Sequence, residues 1–532
     1  MTTLNSDLKL LDDQDVQRFV MDGMLSFHPD VSSETHEEIH NLLSNCSENE
    51  SPLGNNVLSR IPQMHEVLRS KEVDGAITSI LGKNYLLHPH RAVHRSTPVT
   101  SDSSSFDITT DKYLVGKNST TTSLWHQDAQ SPTARARHHL PKYIIGFYFP
   151  HDVTSEMGPT RFKLGSYMQH DESAEDNLFQ PNFIKAGTFM ICHFDTVHAG
   201  FPNFSNQDRY LVKFVFTRTE YPVKPRWNLK NDNWIQSATA MTQNNYSYGW
   251  QYIWNWLLGD SDNSKSIDSK TTQSSKAPDS GENRLDKIYK NDPNQVSDLI
   301  IKLLSHAGKA KHQRLLVKTE YKGQTFEYDK KTTERRWNEM AVVMEDEAYA
   351  LAATGKQAIT NVLPLLKYED PWIQINAIFI LGEIGYESEE VVEAISKLLD
   401  SPHQQVVRQA LDTLSCMPNQ INENCLSSIS NLLEKKPNDW LKVLVNRGWT
   451  ALDQINFNAS MLLLNCTFSG KHKKELEEIL TKLLNFSTGY SAKVASQGLI
   501  NLKTPTALNS AITYLSDSCL LYTSPSPRDW LQ

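Results

Sequence analysis

The sequence has few of the features that mark secreted, membrane-spanning or nucleotide-binding proteins. Its 532 residues include six cysteines, none paired at Cys-x-x-Cys spacing, which predicts reduced thiols rather than a disulfide framework. No stretch approaches the roughly 18 apolar residues of a membrane span. The acidic N-terminal stretch lacks a secretory apolar core, and the glycine motifs of dinucleotide and phosphate-loop sites are absent. These absences predict a cytoplasmic chain without a membrane span.

The charge balance excludes a further class of partner. A formal net charge of −9 is mild for this length, so nucleic acid is not expected as a partner. Hydrophobic residues make up 39% of the chain, which is enough for sizeable cores. The length alone predicts about two to four domains.

The sequence does contain a set of metal-ligand side chains in two short segments. His126 and Asp128 are two residues apart, so on an extended strand they point to the same face. With His198 from a later segment they make two imidazoles and one carboxylate, the ligand set that holds non-haem Fe(II) and leaves coordination positions open. Arg209, eleven residues after His198, has a planar charged fork suited to gripping a carboxylate.

A His-x-Asp pair alone is weak evidence in a chain with 18 histidines, since most such pairs are accidental or lie on the surface. The chain has other histidines that could be ligands. His138 and His139 are adjacent and neighbour arginines, which indicates an exposed basic loop, and a structural or surface role is also expected for His151. His193 would face away from His198 on a shared strand, so it is rejected as a ligand.

A longer stretch around these residues resembles a known family. The metal motif is Trp125-His126-Gln127-Asp128, and the later ligand lies in His198-Ala199-Gly200-Phe201-Pro202-Asn203. Phe19 to Gly23 is similar to the opening helix and turn, and Glu156 to Pro159 followed by Gly165-Ser166 is similar to a conserved loop of that family. These segments occur in the family's order. Together, the residues from 10 to about 225 resemble the phytanoyl-CoA dioxygenase family of Fe(II)/2-oxoglutarate-dependent oxygenases.

The chain departs from this family's pattern at three positions. Met157 stands for the usual Asn, Leu164 for the usual Pro and Tyr167 for the usual His. These positions border the substrate region in the family, so the substrate's identity is not carried over. Gly200 stands where some members have a hydroxyl, which leaves Arg209 as the one co-substrate contact that the resemblance transfers.

The resemblance implies a double-stranded β-helix, or jelly-roll, oxygenase domain with flanking helices. In it His126, Asp128 and His198 hold Fe(II), and Arg209 binds the far carboxylate of 2-oxoglutarate. The implied enzyme is a 2-oxoglutarate-dependent dioxygenase that uses O2 to hydroxylate a C–H of an organic small-molecule substrate, with succinate and CO2 as co-products. Related iron halogenases replace the carboxylate ligand, so the presence of Asp128 favours hydroxylation.

The pattern changes after residue 258. Asp260 to Gly281 is rich in Ser, Asp and Lys, which predicts a flexible linker over 259–282. Beyond it, apolar residues follow helical spacing and a 33-residue repeat appears. The repeat positions are Leu366, Ile373, Ala377 and Leu381, then Leu399, Val406, Ala410 and Leu414, and later Leu484, Ser491, Ala495 and Leu499.

This repeat resembles HEAT-like helical repeats, with a generic helical bundle as the alternative. The predicted organisation is multidomain: a jelly-roll oxygenase domain over 1–258, a linker over 259–282 and an all-α HEAT-like domain over 283–515. Residues 516–532 break the helical pattern and look like translated adaptor sequence, a non-native tail.

Two functions of different classes remain open at this point. The first is an active hydroxylase whose helical repeats offer a surface for a protein partner. The second is a helical-repeat scaffold that carries a degenerate oxygenase domain.

Two further segments have an unusual composition. The segment from Lys302 to Arg336 contains ten Lys and Arg against four Asp and Glu, and is either a solvated helix face or a docking patch for an acidic partner. The tryptophans between Trp227 and Trp256 predict a packing cap on the barrel.

Overall fold

The computed structural model of the chain describes residues 8–49, 53–98, 106–107, 112–114, 120–122, 125–128, 136–169, 177–260, 283–290, 293–308, 315–321, 324–330, 342–441, 450–486 and 489–516. The chain forms two compact units. The first comprises residues 1–128, 141–218 and 225–245, and the second comprises 129–140, 219–224 and 246–532.

Helices open the first unit. They are α1 (Asp13–Asp22), α2 (Ser33–Asn49), α3 (Val57–Arg60), α4 (Met64–Leu68) and α5 (Lys71–Leu81). The Asp12 side chain caps α1 by accepting from the Asp15 N–H, and Gly23 ends the helix at φ 75°, a conformation that favours glycine. The helix and turn predicted at the start of the chain are therefore confirmed.

The first unit is otherwise built from antiparallel strands. They are β1 (Met24–Phe27), β2 (Leu86–Ser96), β3 (Phe106–Asp107), β4 (Lys112–Leu114), β5 (Thr120–Thr122), β6 (Tyr143–Tyr148), β7 (Val153–Thr154), β8 (Arg161–Lys163), β9 (Leu178–Phe179), β10 (Phe183–Ile184), β11 (Phe189–His193), β12 (His198–Ala199) and β13 (Arg209–Thr217). The main sheet has the order β1-β11-β6-β13-β2, and smaller sheets have the orders β12-β8-β9, β10-β7 and β3-β4-β5.

The two central strands of the main sheet are fully buried. β6 and β13 pair along their length with Val212 opposite Tyr148, and every residue of both is buried. Both strands are rich in β-branched and aromatic residues, which pack well on a pleated, covered surface. The composition of both segments is therefore typical of buried strands.

The second unit is mainly helical. Its helices are α6 (Ser247–Leu257), α7 (Arg284–Tyr289), α8 (Val296–Leu304), α9 (Asp346–Ala353), α10 (Ile359–Val362), α11 (Pro371–Ile384), α12 (Glu389–Ser396), α13 (Gln404–Ser415), α14 (Glu423–Glu434), α15 (Ala451–Thr467), α16 (Lys473–Phe486), α17 (Gly489–Leu502) and α18 (Pro505–Ser516). A hairpin pairs β14 (Leu315–Tyr321) with β15 (Gln324–Lys330). Helices α9, α11, α13, α15 and α17 pack each against the next, and α12, α14, α16 and α18 form a second series.

The predicted 33-residue repeat coincides with this packing. All the repeat positions are buried: they lie on α11, α13 and α17, on the short 3-10 turns before α11 and α13, and near the end of α16. Small residues bring the helices close: a Cβ at Gly382 on α11 would lie 2.8 Å from Thr413 Oγ1 on α13. The buried stripe predicted from the spacing of apolar residues is confirmed.

Three segments of the predicted oxygenase domain group with the helices: 129–140, 219–224 and the residues from 246 onward. Helix α6 lies before the predicted boundary at 258 but belongs to the second unit. In segment 136–140, the His138 Nδ1 lies 2.8 Å from Glu383 Oε1, and the His139 ring hydrogen-bonds the Tyr289 hydroxyl. His138 is 4% exposed and His139 1%, so the expectation of an exposed loop is wrong. Their partners come from distant helices, which local patterns cannot reveal.

Several expectations concern residues outside the described ranges. The predicted linker beyond residue 260 and the tail beyond 516 lie there, as do parts of the basic segment from Lys302 to Arg336. The five cysteines within the described ranges are buried, free thiols, in line with the predicted reduced state. None of the described helices combines the length and the apolarity that crossing a membrane requires.

Candidate metal centre

The two predicted histidine ligands lie opposite each other on neighbouring strands. The His126 N–H donates to the His198 carbonyl at 3.1 Å, and the His198 N–H donates back to the His126 carbonyl at 3.0 Å. Directly opposed residues of an antiparallel pair share a face. The two rings accordingly lie on one side, with centroids 4.5 Å apart.

Asp128 completes a cluster of three ligand-type side chains. One ligand atom each from His126, Asp128 and His198 lies within 4.8 Å of the other two. The His126 Nε2 is 3.9 Å from Asp128 Oδ1. The Asp128 side chain is 6% exposed while that of His126 is 42% exposed, so the cluster is buried on one side and open on the other. The three residues predicted as ligands therefore come together.

The His198 ring is oriented by its own backbone. Its Nδ1 lies 3.0 Å from the Thr196 carbonyl, which can only accept, so Nδ1 carries the proton and Nε2 keeps its lone pair. Burial, followed by the nearby His126, lowers the pKa of His198 to about 3. The imidazole is neutral at physiological pH, which is the form that binds a metal.

Gln127, the residue between the two ligands of the first segment, ties the two ligand segments together. Its side-chain amide donates to the Asp195 carbonyl at 2.7 Å. Asp195 lies just before His198, so this bond links the segment that carries His126 and Asp128 to the turn that presents His198. Gln127 thus has a positioning role that its place in the motif did not reveal.

Lys213 is a site residue that the sequence reasoning missed. It lies on β13, is 2% exposed, and its Nζ donates to Asp128 Oδ2 at 2.6 Å. The one hint in the sequence is that Lys213 and Arg209 are the two charged residues of a strand that is otherwise mostly apolar and aromatic, four residues apart and hence on the same face. A buried lysine in such a strand needs an anionic partner.

Arg209 is buried on the same strand without a carboxylate among the described residues. It is 5% exposed, and its Nη1 donates to the Met157 carbonyl at 3.4 Å. Within the described part of the chain its Nε is buried and has no hydrogen-bond partner. Burial lowers its pKa to about 10, so the guanidinium stays charged at neutral pH. Gly200 has no side chain, and even an added Cβ would lie 3.8 Å from Arg209 Nη2. There is therefore space beside the guanidinium on that side.

The remaining histidine candidates have structural contacts. His193 stacks on Tyr167 with ring centroids 4.2 Å apart, and its Nδ1 accepts from the Asp195 N–H. His151 Nδ1 donates to the Asp152 carbonyl, its Nε2 accepts from the Tyr210 N–H, and burial lowers its pKa to about 4. Neither belongs to the three-residue cluster.

Tyr167, one of the departures from the family pattern, lies in the core. It is 1% exposed, and its hydroxyl donates to the Val20 carbonyl at 2.5 Å. Desolvation raises its pKa far above the usual range, so the hydroxyl stays a donor. Its observed contacts connect α1 to β11, which is a packing role.

Comparison with known proteins yields distant similarities. No protein-family profile matches the chain, and no curated protein matches it. One similar structure is the non-heme alpha ketoglutarate dependent epimerase SnoN from nogalamycin biosynthesis, at 13% identity and a TM-score of 0.30 over 38% of this chain and 80% of SnoN. Another is EctD from S. alaskensis with 2-oxoglutarate and 5-hydroxyectoine, at 12% identity and a TM-score of 0.31 over 39% of this chain and 77% of EctD.

A third similar structure is HygX from Streptomyces hygroscopicus with nickel and 2-oxoglutarate bound. It shares 14% identity at a TM-score of 0.28 over 41% of this chain and 90% of HygX. At such identities and TM-scores these similarities do not establish the family or the reaction of this chain.

Proposed function

We propose that the chain is an Fe(II)/2-oxoglutarate-dependent dioxygenase that hydroxylates a C–H of a small organic substrate. His126, Asp128 and His198 hold the iron, and Arg209 binds the far carboxylate of 2-oxoglutarate. The observation that carries the proposal is the cluster of three ligand atoms within 4.8 Å of one another. Two imidazoles and one carboxylate are the donor set that suits non-haem Fe(II).

The donor set fits a metal in detail as well as in composition. His198 is neutral, and its Nδ1–H bond to Thr196 directs Nε2 away from the backbone. Such second partners fix the tautomer and orientation of metal-bound histidines. Asp128 Oδ2 accepts from Lys213, while Oδ1 is the oxygen nearer His126. The carboxylate is thereby held for binding through a single oxygen.

Arg209 fits the anionic end of the co-substrate. A buried guanidinium without a carboxylate among the described residues is costly unless a ligand supplies the negative charge. A bidentate arginine–carboxylate pair satisfies both charge and geometry. We assign this role to Arg209 because Lys213, the other cation on that face of β13, already holds Asp128.

The chain's own residues position the reactants in this proposal, and bound iron with 2-oxoglutarate and O2 supplies the oxidising chemistry. Gln127 links the two ligand segments, and we expect a substrate to approach from the exposed side of His126. The intact ligand set favours an enzyme over the alternative of a scaffold with a degenerate oxygenase domain.

We assign finer folds to both units on the same basis. The antiparallel main sheet and the β12-β8-β9 sheet, with His198 on β12 and Arg209 on β13, support a jelly-roll oxygenase domain like that of the phytanoyl-CoA dioxygenase family. The two series of helices and the buried repeat support HEAT-like repeats, which offer a surface for a protein partner.

Succinate release tests the proposal. The full chain, supplied with Fe(II), 2-oxoglutarate, O2 and a panel of small organic compounds, is expected to release succinate faster with a true substrate than without one. His198→Ala is expected to abolish release, and a product heavier by one oxygen atom would identify hydroxylation. Release that persists without iron, or in the His198→Ala variant, would contradict the assignment.

A further inference from the structure

We infer that the helical unit holds a second metal site, formed by His306, Glu345 and Glu347, that binds one divalent transition-metal ion. This site is independent of the proposed oxygenase chemistry. One ligand atom from each of the three residues lies within 4.8 Å of the other two. The His306 Nε2 is 3.2 Å from Glu347 Oε2, and its Nδ1 is 3.7 Å from Glu345 Oε2.

Local structure brings the three residues together from two helix ends. His306 lies two residues beyond the end of α8, and its N–H donates to the Leu303 carbonyl at 3.0 Å. Glu345 is the residue that precedes α9, and Glu347 lies in the first turn of that helix. The end of one helix and the start of the next therefore face each other across the cluster.

Residues outside the cluster hold Glu345 in place. The Trp372 Nε1 donates to Glu345 Oε1 at 2.8 Å, and the Asn376 side-chain carbonyl accepts from the Glu345 N–H at 3.0 Å. Asn376 is itself fixed, because its amide donates to the Trp372 carbonyl at 2.9 Å. With Oε1 held by the indole, Oε2 is left facing His306. Ligand carboxylates that are fixed by outer hydrogen bonds in this way are typical of metal sites.

The loop that carries His306 is anchored as well. The Gly308 N–H donates to Asp370 Oδ2 at 2.7 Å, and the same aspartate caps α11 by accepting from the Trp372 N–H. An ion at the cluster would thus connect α8 to α9 beside the start of α11. This is the region where the consecutive packing of the helices begins.

The burial of the cluster suits a bound ion. Glu345 is 4% exposed, and Glu347 faces the same imidazole. A divalent ion there would carry charge opposite to that of both carboxylates and would leave the imidazole neutral. Buried carboxylates are costly unless they are paired or bind a metal.

The donor set indicates which ions fit. Calcium and magnesium prefer oxygen ligands alone, and Cu(I) prefers sulfur. One imidazole nitrogen with two carboxylate oxygens suits zinc and its first-row neighbours, with water completing the coordination. We take zinc as the probe.

Zinc stoichiometry in the full chain tests the site. Stripped of metal, dialysed against excess zinc and analysed by atomic emission, the wild type is expected to bind two zinc ions: one here and one at the His126–Asp128–His198 cluster. Glu347→Gln and His306→Ala each remove one of the three protein ligands, so each is expected to lose this ion and to keep one zinc per chain. His126→Ala/His198→Ala is expected to lose the other ion and keep this one. His403→Ala, at an exposed histidine on the same unit, is the control and is expected to keep both.

Two results would overturn the site. The first is a wild-type chain whose only zinc disappears with His126→Ala/His198→Ala, which would leave His306 as a proton-bearing bridge between carboxylates. The second is full retention of two zinc ions by the folded Glu347→Gln and His306→Ala variants. Circular dichroism shows whether each variant is folded, and the near-isosteric Glu347→Gln keeps the test valid if His306→Ala is not. Failure of the oxygenase metal site would appear instead as a wild-type chain that binds one zinc ion, which is lost in the His306→Ala variant and kept in His126→Ala/His198→Ala.

Discussion

Lys213 holds one oxygen of Asp128 at 2.6 Å, which leaves the other oxygen as the one that faces His126. Both side chains of this pair are buried, so removing the lysine leaves a carboxylate in a low-dielectric site without its donor. The orientation of the metal ligand depends on this bond in our account.

Lys213→Met keeps the length of the side chain and removes the charge. We expect iron affinity to fall by about 10- to 100-fold, the usual effect of losing a partner that orients a metal ligand. The measurement is Fe(II) binding under anaerobic conditions, with Lys185→Met, a residue exposed at the surface, as the control. Unchanged iron affinity in a folded Lys213→Met variant would show that Asp128 does not need this donor.

Residues such as these show how far sequence reasoning reaches at a site. The spacing of His126 and Asp128 predicted a shared direction, because side chains of a strand alternate with a period of two. Lys213 was missed because its partner lies 85 residues earlier in the chain, and a strand pattern read on its own does not reveal such pairings. The contacts of His138 with Glu383, 245 residues away, were missed for the same reason.

At the scale of elements, the contact between α11 and α13 depends on the missing side chain of Gly382. A methyl group there would lie 2.8 Å from Thr413 Oγ1 and 3.0 Å from its Cγ2. Apolar spacing predicted these helices and their buried stripe, since a period of 3.6 residues can be seen in one segment. The sequence indicates, from the small residues at the contact, that the backbones of α11 and α13 can lie close together. It does not indicate how close they are.

Gly382→Ala is expected to destabilise the chain by about 1 to 3 kcal/mol, because the added methyl group overpacks this contact. In a Thr413→Ala background the clash is relieved, and the same change is expected to be neutral or stabilising by up to about 1 kcal/mol through helix propensity. Chemical denaturation of the four chains of this double-mutant cycle measures the coupling. Additive effects would show that the helices do not meet at this pair.

At the scale of the whole molecule, the two halves of the sequence are not the two units of the structure. Residues 136–140 and helix α6 lie before the predicted linker yet pack in the helical unit. Trp250 and Trp254 of α6 are both fully buried. The polar composition of 259–282 predicts a linker. It does not predict which segments on either side pack together, because composition carries no information on long-range pairing.

A protease site inserted between residues 261 and 281 tests this interleaving. After cleavage we expect the two pieces to elute together under native conditions, because the first piece supplies segment 136–140 and α6 to the helical unit. A chain ending at Leu258 is expected to be insoluble or to unfold at lower temperature than the full chain, since both segments lose their partners. Clean separation of the cleaved pieces, together with a stable chain ending at Leu258, would show that they fold independently.

We propose that this chain binds 2-oxoglutarate at a metal held by His126, Asp128 and His198, with Arg209 on the far carboxylate. Equilibrium binding of 2-oxoglutarate to the full chain, under anaerobic conditions with and without Fe(II), tests it most directly. We expect one 2-oxoglutarate per chain that depends on Fe(II). Arg209→Lys is expected to weaken binding by about 10- to 100-fold while iron is retained, because it loses the bidentate grip. Arg18→Lys, on the surface of α1, is expected to change nothing. The absence of iron-dependent binding in the wild type would contradict the account and favour a scaffold.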